Sequence, residues 1–279
     1  MECYWPFQKG FLLSYVVGFV ASACLHSIGI YLLYRVKLKL INQRIIIANL
    51  ALSELASSVH HTLIAARRMA GLCQEVWDDL ELFFNAFLLL SNRLIMFHLI
   101  LDRFLDIFLH MKYPLYFTKS RLVKIAFAGW IVSCLYAMFI IVGRKATNSS
   151  MYKYTTFTFL IVDICISISA VLTFIYLNAR VRKISSSHSA TSSKYSKVRF
   201  FIPWLMILTY LFFNVSSQVL QTIANLTLCP QNCLLLQIGT LLTMMGYISD
   251  VCIYMFLNKS LREGLSEAVI KWRAKVNGV

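Results

Sequence analysis

The sequence predicts an all-α membrane protein, a seven-transmembrane helix bundle ending in a short amphipathic eighth helix. Three observations predict it. The 279 residues are 59% hydrophobic and 14% charged, with a mean hydropathy of +0.68, far from the usage of soluble domains. The apolar residues collect in seven runs, at 11–34, 44–66, 80–108, 122–143, 155–178, 199–224 and 234–257, each close to the roughly 20 residues that cross a bilayer. Lys and Arg then divide unequally between the two sets of connections, nineteen against six. The positive-inside rule places the richer set in the cytoplasm.

In chain order, Met1 to Gly10 has no charged n-region, apolar h-region and cleavage site ahead of the first run, so no removable leader is expected. Arg35, Lys37, Lys39 and Arg44 follow the first run, and Lys112, Lys119, Arg121 and Lys124 follow the third. Six more basic residues from Arg180 to Arg199 follow the fifth run, and five from Lys259 to Lys275 lie in the tail. The opposite side holds only Lys9, Arg67, Arg68, Arg144, Lys145 and Lys153. The N-terminus is therefore expected outside and the tail inside. Asn148-Ser149-Ser150 and Asn225-Leu226-Thr227 fall in or near outer loops and read as glycosylation sites. Ile184 to Ser196 is Ser-rich and Lys-bearing, a flexible inner loop open to phosphorylation. The amphipathic segment 258–273 closes the chain.

The net charge of +15 does not point to nucleic acid, because the basic residues are scattered between apolar runs and serve as topology signals. The eight cysteines have no zinc spacing. An enzyme is not expected: His60-His61 has no acid or cysteine spaced to complete a metal or nucleophile site.

The residues inside the runs carry a resemblance. Asn49-Leu50-Ala51-Leu52-Ser53-Glu54-Leu55, Asp102-Arg103-Phe104, Trp130, Asp250-Val251-Cys252-Ile253-Tyr254 and Asn258-Lys259-Ser260-Leu261-Arg262 occur in order, each in or just after a successive run. They resemble motifs of the rhodopsin-like (class A) G-protein-coupled receptors, over nearly the whole chain. Phe104 replaces the usual tyrosine, Glu54 the usual aspartate, and the proline of the seventh span is missing. Within that class, Cys229-Pro230-Gln231-Asn232-Cys233 is similar to the third outer loop of the melanocortin receptors and their relatives. The resemblance implies a plasma-membrane receptor that passes an extracellular ligand signal to a heterotrimeric G protein, with Arg103, Asp102, Asp250 and Tyr254 as the switch. An adjacent acid and base at a helix end form a two-state element.

The same alignment places Glu54, Asn92 and Asp250 at the family's sodium and water pocket. Two acids facing inward need a cation or a shared proton. The alternatives are a Na⁺ site and a hydrogen-bonded network that includes His26. Arg93 and Asp163 fall at the level of the family's connector beside Phe212, and a buried ion pair between them is expected; the alternative has Arg93 facing a wet cavity. At the outer mouth, Asp78, Asp79 and Glu81 form an acidic rim suited to a cationic peptide or Ca²⁺, or a solvated helix start. Melanocortin receptors hold calcium and a peptide arginine with three acids, of which Asp78 matches one, while Ile64 and Leu82 stand at the other two. Asn85 replaces the aspartate of amine receptors, and the seventh run has no lysine for retinal, so neither ligand is expected. Cys3, Cys73, Cys229 and Cys233 face outward and permit three pairings; the resemblance implies Cys229 with Cys233, leaving Cys3 with Cys73. The sixth run has Val215-Ser216-Ser217-Gln218 where the family has CWxP. That loss keeps open a non-signalling receptor-like binding or accessory protein, and the intramembrane charges keep open a transporter or channel.

Overall fold

The structure, a computed structural model, describes residues 9–35, 41–70, 75–109, 112–147, 152–185, 204–226 and 234–276. No strand occurs among them. Helices α1 (Lys9–Arg35), α2 (Ile41–Met69) and α3 (Glu75–Leu109) are followed by one helical turn, Tyr113–Tyr116. Then come α4 (Lys119–Thr147) and α5 (Tyr152–Ser185). Helix α6 covers 204–226 and changes to π geometry over Tyr210–Val215. Helix α7 (Leu234–Leu257) ends in a second π turn, Ile253–Leu257, and α8 is Lys259–Val276.

Five segments are long and apolar enough to cross a membrane: Leu13–Arg35, Trp77–Asp106, Lys119–Ala146, Thr155–Tyr176 and Leu234–Leu257. The chain is thus an all-helical, multi-pass membrane protein. Helices α2 and α6 fall outside this set for a local reason. The first carries Glu54, His60, His61 and Arg67, the second Asn214, Ser216, Ser217, Gln218 and Gln221.

The helices close into a ring in which each packs on the next: α1 on α2, α2 on α3, α3 on α5, α5 on α6, α6 on α7, and α7 back on α1. Helix α4 stands outside the ring against α2 and α3, and α8 lies against α1 and the end of α7. In the apolar window of α3 61% of the residues are buried, against 17% in α4. Helix α3 is therefore the hub. The outer face of α4 presents Phe127, Leu135, Phe139 and Val142, all more than half exposed, an apolar surface that hydrocarbon covers and water would not.

Two glycines permit close approaches. A Cβ on Gly29 of α1 would run into the Tyr254 ring of α7. On Gly246 it would sit 3.0 Å from Asn214 Nδ2 and 3.2 Å from Phe213 Cβ, both in the π turn of α6. The π turn bulges towards α7 where the facing residue has no side chain.

Candidate functional site

The ring encloses a cavity of about 360 Å³ at the end where α3 begins. Leu82, Asn85, Ala86, Leu89 and Arg93 line it from α3, at the three- and four-residue spacing of one helix face. Opposite them stand Thr156 and Phe159 of α5, Gln218 and Gln221 of α6, and Thr243 of α7. Amides and hydroxyls dominate its polar lining.

Arg93 forms the floor. Its Nε and Nη2 grip Asp163 Oδ1 and Oδ2 of α5, both at 2.9 Å, the paired fork geometry that planar guanidinium and carboxylate favour. Nη2 also donates to Gln218 Oε1 of α6 at 2.9 Å, and Nη1 to the Leu89 carbonyl at 3.1 Å. The guanidinium lies 4.5 Å over the Phe159 ring. Tyr210 donates to Asp163 Oδ1 at 2.6 Å, and Gln218 Nε2 to the Thr156 carbonyl at 3.1 Å. The structure thus brings Arg93 and Asp163 together and ties α3, α5 and α6 at one junction. Phe212, expected at this level, faces away and is 65% exposed. The π turn adds a residue per turn and re-phases α6, so Tyr210 takes the inward position.

One level further along lies a second polar cluster. Glu54 and Asp250 are buried, 2% and 0% exposed, and within electrostatic reach of each other. Thr209 of α6 donates to Asp250 Oδ1 at 2.8 Å. His26 Nε2 is 3.4 Å from Glu54 Oε2, and His26 Nδ1 is 3.3 Å from the Tyr254 hydroxyl. Asn92 Nδ2 donates to Ser57 Oγ at 3.3 Å and to the Tyr247 hydroxyl at 3.2 Å. The structure brings His26, Glu54, Asp250 and Tyr254 into one neighbourhood, with Asn92 held from both α2 and α7. Yet Asn92 Oδ1, Glu54 Oε2, Asp250 Oδ2 and Ser53 Oγ are buried without a hydrogen-bond partner.

At the far end of α3, Arg103 and Asp102 pair through Nε and Oδ2 at 2.9 Å, with Nη2 on the same oxygen. Tyr113, in the turn after α3, donates to Asp102 Oδ1. Asp106 Oδ2 lies 3.7 Å from Arg103 Nη1. Asp102 and Arg103 are 1% and 2% exposed. Nothing in the sequence singled out Tyr113; its place beside Pro114 in a short basic connection was the available signal. Tyr254 and Asp250 lie in the polar cluster and make no contact with Arg103 among the interactions described above.

The acidic mouth is not open. Arg67 reaches Glu81 at 2.6 Å and Asp78 at 3.3 Å, while Arg144 and Lys145 reach Asp79 at 3.2 and 3.3 Å. The chain's own cations occupy the carboxylates expected to meet a cationic ligand or Ca²⁺. Asn85, the fourth mouth residue, lines the cavity. Among the described residues no three His, Cys, Asp or Glu side chains converge as a metal site. Cys3, Cys73, Cys229, Cys233 and Asn148 lie outside the described residues, and Asn225 is in the last turn of α6 with its side chain not described. Cys24, Cys134, Cys165 and Cys252 carry free thiols. Trp130 donates to Asn49 Oδ1 at 2.8 Å, joining α4 to α2.

Compared with known proteins, the chain matches no protein-family profile and no curated protein.

Proposed function

We propose that the chain is a seven-helix receptor of the plasma membrane, rhodopsin-like in type, that couples an extracellular ligand to a heterotrimeric G protein through Arg103. The reading takes α2 and α6 as membrane spans beside the five apolar helices, because both are members of the closed ring. It takes the N-terminus as extracellular on the Lys and Arg distribution. The observation that carries it is the layout along α3. A polar cavity lies at one end, two buried polar clusters follow, and a buried acid–base pair held by Tyr113 lies at the other end. That layout gives a ligand site and a releasable arginine a common rigid element.

The ligand reading changes with the geometry. The cavity's charges compensate one another, Glu81 with Arg67 and Arg93 with Asp163, so a small neutral molecule rich in hydrogen-bonding groups suits it better than a cationic peptide. The oxygens of Glu54, Asn92 and Asp250 suit a shared proton or a hard cation such as Na⁺, and the shared proton needs no added ion. Disulfide bonding of the outer cysteines and glycosylation at Asn148 and Asn225 belong to the same cell-surface reading.

The deciding experiment is ligand-free G-protein dissociation across a panel of Gα subunits, comparing wild type with Arg103→Ala at matched surface expression. A wild-type signal that Arg103→Ala removes supports coupling. A second reading, a receptor-like protein that does not signal, has one observation in its favour: α6 is tied on three sides, by Tyr210 to α5, by Gln218 to α3 and by Ser217 to the Gly239 carbonyl of α7 at 2.6 Å. Silence from the panel with wild type and from a variant with Gln218→Leu and Ser217→Ala, which cuts two of those ties, would favour it.

A further inference from the structure

The seam where α6 meets α7 forms one wall of the main cavity, and its polar residues pair off in antiparallel register. Asn214, Ser217 and Gln221 of α6 all line the cavity, at the three- and four-residue spacing of one helix face. Each stands against a particular place on α7. A Cβ on Gly246 would sit 3.0 Å from Asn214 Nδ2, and one on Gly239 would sit 3.2 Å from Gln221 Cγ. The two amides thus lie where α7 offers no side chain, and between them Ser217 pairs with Thr243 at 2.7 Å. The hydroxyl pair is closed. Ser217 has one hydrogen, which goes to the Gly239 carbonyl at 2.6 Å, and its oxygen accepts from Thr243 and from Gln221 Nε2 at 3.1 Å. The amides are open. Among the described residues neither end of the Asn214 side chain has a hydrogen-bond partner, and Gln221 keeps its Oε1 and its second amide hydrogen.

An open side-chain amide is a donor and an acceptor side by side in one plane. We infer that the cavity's ligand is a small neutral molecule with a carboxamide or lactam edge, an N–H beside a carbonyl, which pairs with Asn214 while the molecule's other end reaches Gln221. This ligand chemistry rests on the cavity being the ligand site, as proposed above, and needs no coupling to a G protein. Complementarity selects the edge. A planar donor and acceptor meet an amide at two points, the pairing by which Asn and Gln side chains read a flat edge. A carboxylate would satisfy only the donor of Asn214, and an ammonium group only its acceptor. Either would also enter as an uncompensated charge, because Arg93 is held by Asp163 and Arg67 by Glu81. A hydroxyl offers both roles on one atom and cannot span the two ends of the amide. Size agrees. The 360 Å³ cavity is at the small end of ligand pockets, which run from about 300 to 1,000 Å³. Asn214 and Gln221 are about 10 Å apart along α6 at the rise of an α-helix, a span that one six-membered ring with a polar group at each end covers.

The test uses the purified full chain in phosphatidylcholine nanodiscs and four pyridines that differ only in the group opposite the ring nitrogen: carboxamide, carboxylate, aminomethyl and hydroxymethyl. Saturation-transfer NMR titrations read the dissociation constants. The carboxamide, isonicotinamide, should bind about tenfold more tightly than each of the other three, the ratio that one or two added hydrogen bonds support. Asn214→Leu should remove that advantage, and Gln221→Leu should weaken isonicotinamide by a smaller factor. Asn214→Asp, which presents acceptors only, should pass the preference to the aminomethyl compound, a reversal that a merely structural asparagine would not give. Monomeric elution and a wild-type melting temperature for these variants separate loss of the site from loss of the fold. A carboxylate, amine or alcohol that binds as tightly as the carboxamide, or a carboxamide preference that survives Asn214→Leu, overturns the inference and leaves the cavity as a ligand site. Saturable binding of none of the four overturns the inference and that reading together. A carboxamide preference in a chain that is silent towards every Gα subunit removes coupling and leaves the inference standing.

Discussion

Two clusters of buried charge lie one level apart in this bundle, and they are built differently. At the Arg93 junction, Asp163 holds a two-point grip from Arg93 and a third bond from Tyr210, and Gln218 is engaged at both ends of its amide. At the Glu54 and Asp250 cluster, two acids face each other and four buried oxygens lack a hydrogen-bond partner among the described residues. The difference is between a saturated network and an open one. A saturated ion pair has offset its desolvation with Coulomb attraction and full hydrogen bonding, and removing one partner strands the other. An open cluster has spare acceptors, so it tolerates a change of proton, water or ion. The first reads as a fastener and the second as the adjustable part.

The largest effect that tests this contrast is Arg93→Met. It leaves Asp163 buried and uncompensated and should cost about 3–5 kcal/mol, read as loss of surface expression and of a measurable melting transition in detergent. Arg93→Met combined with Asp163→Leu should recover both. Failure of the double variant to recover would show that the two residues are not each other's chief partner.

Next in size is Gly246→Ala. The new methyl would lie 3.0–3.2 Å from Asn214 and Phe213, inside the π turn, and crowding of this kind costs about 1–3 kcal/mol. The same substitution at Gly129 meets open space and should leave the melting temperature unchanged. Equal effects at the two sites would mean that α6 yields freely and that the π turn is not a fixed feature of its packing.

How much of this was legible in the sequence follows from what each level depends on. The helices were legible because hydropathy acts on every residue of a run. Their ends were less so: α5 continues to Ser185, past the apolar run ending at 178, since Ala179 and Arg180 are good helix formers whatever the membrane does. The Arg93 and Asp163 pair was reached through the family alignment, which put the two at one level and left a wet cavity around Arg93 as the alternative; a charge in an apolar run demands a partner but does not name it. Tyr210 was not, and Phe212 was expected in its place, because a π turn changes which residues face inward without any marker in composition. The acidic mouth also misled. Asp78, Asp79 and Glu81 are conspicuous in sequence, but Arg67 lies on α2 and Arg144 and Lys145 on α4, and only the packing of three helices brings them together.

Tyr210→Phe is the third test. It deletes the hydroxyl that donates to Asp163 but keeps the ring and leaves both Arg93 contacts in place. The expected loss is about 1 kcal/mol, the net worth of one hydrogen bond, and much less than that of Arg93→Met. A loss as large as that of Arg93→Met would make the tyrosine, and not the guanidinium, the centre of the fastener.

The smallest expected change in stability is at Asp250→Asn, and it bears most on the open cluster. Asp250 Oδ1 accepts from Thr209, while Oδ2 is the unpartnered oxygen. An amide keeps the first bond through its carbonyl oxygen and turns a donor towards Glu54, supplying permanently the hydrogen that two facing carboxyls must otherwise share. The variant should melt within about 0.5 kcal/mol of wild type, as substitutions that break no named interaction do. Wild type and variant should also melt alike in sodium and in choline chloride if a proton fills the cluster. A sodium-dependent stabilisation of wild type that Asp250→Asn removes would instead assign a cation to the oxygens of Glu54, Asn92 and Asp250. A drop as steep as that of Arg93→Met would erase the distinction between the two clusters, because Asp250 would then be a committed ion partner and not one half of an adjustable pair.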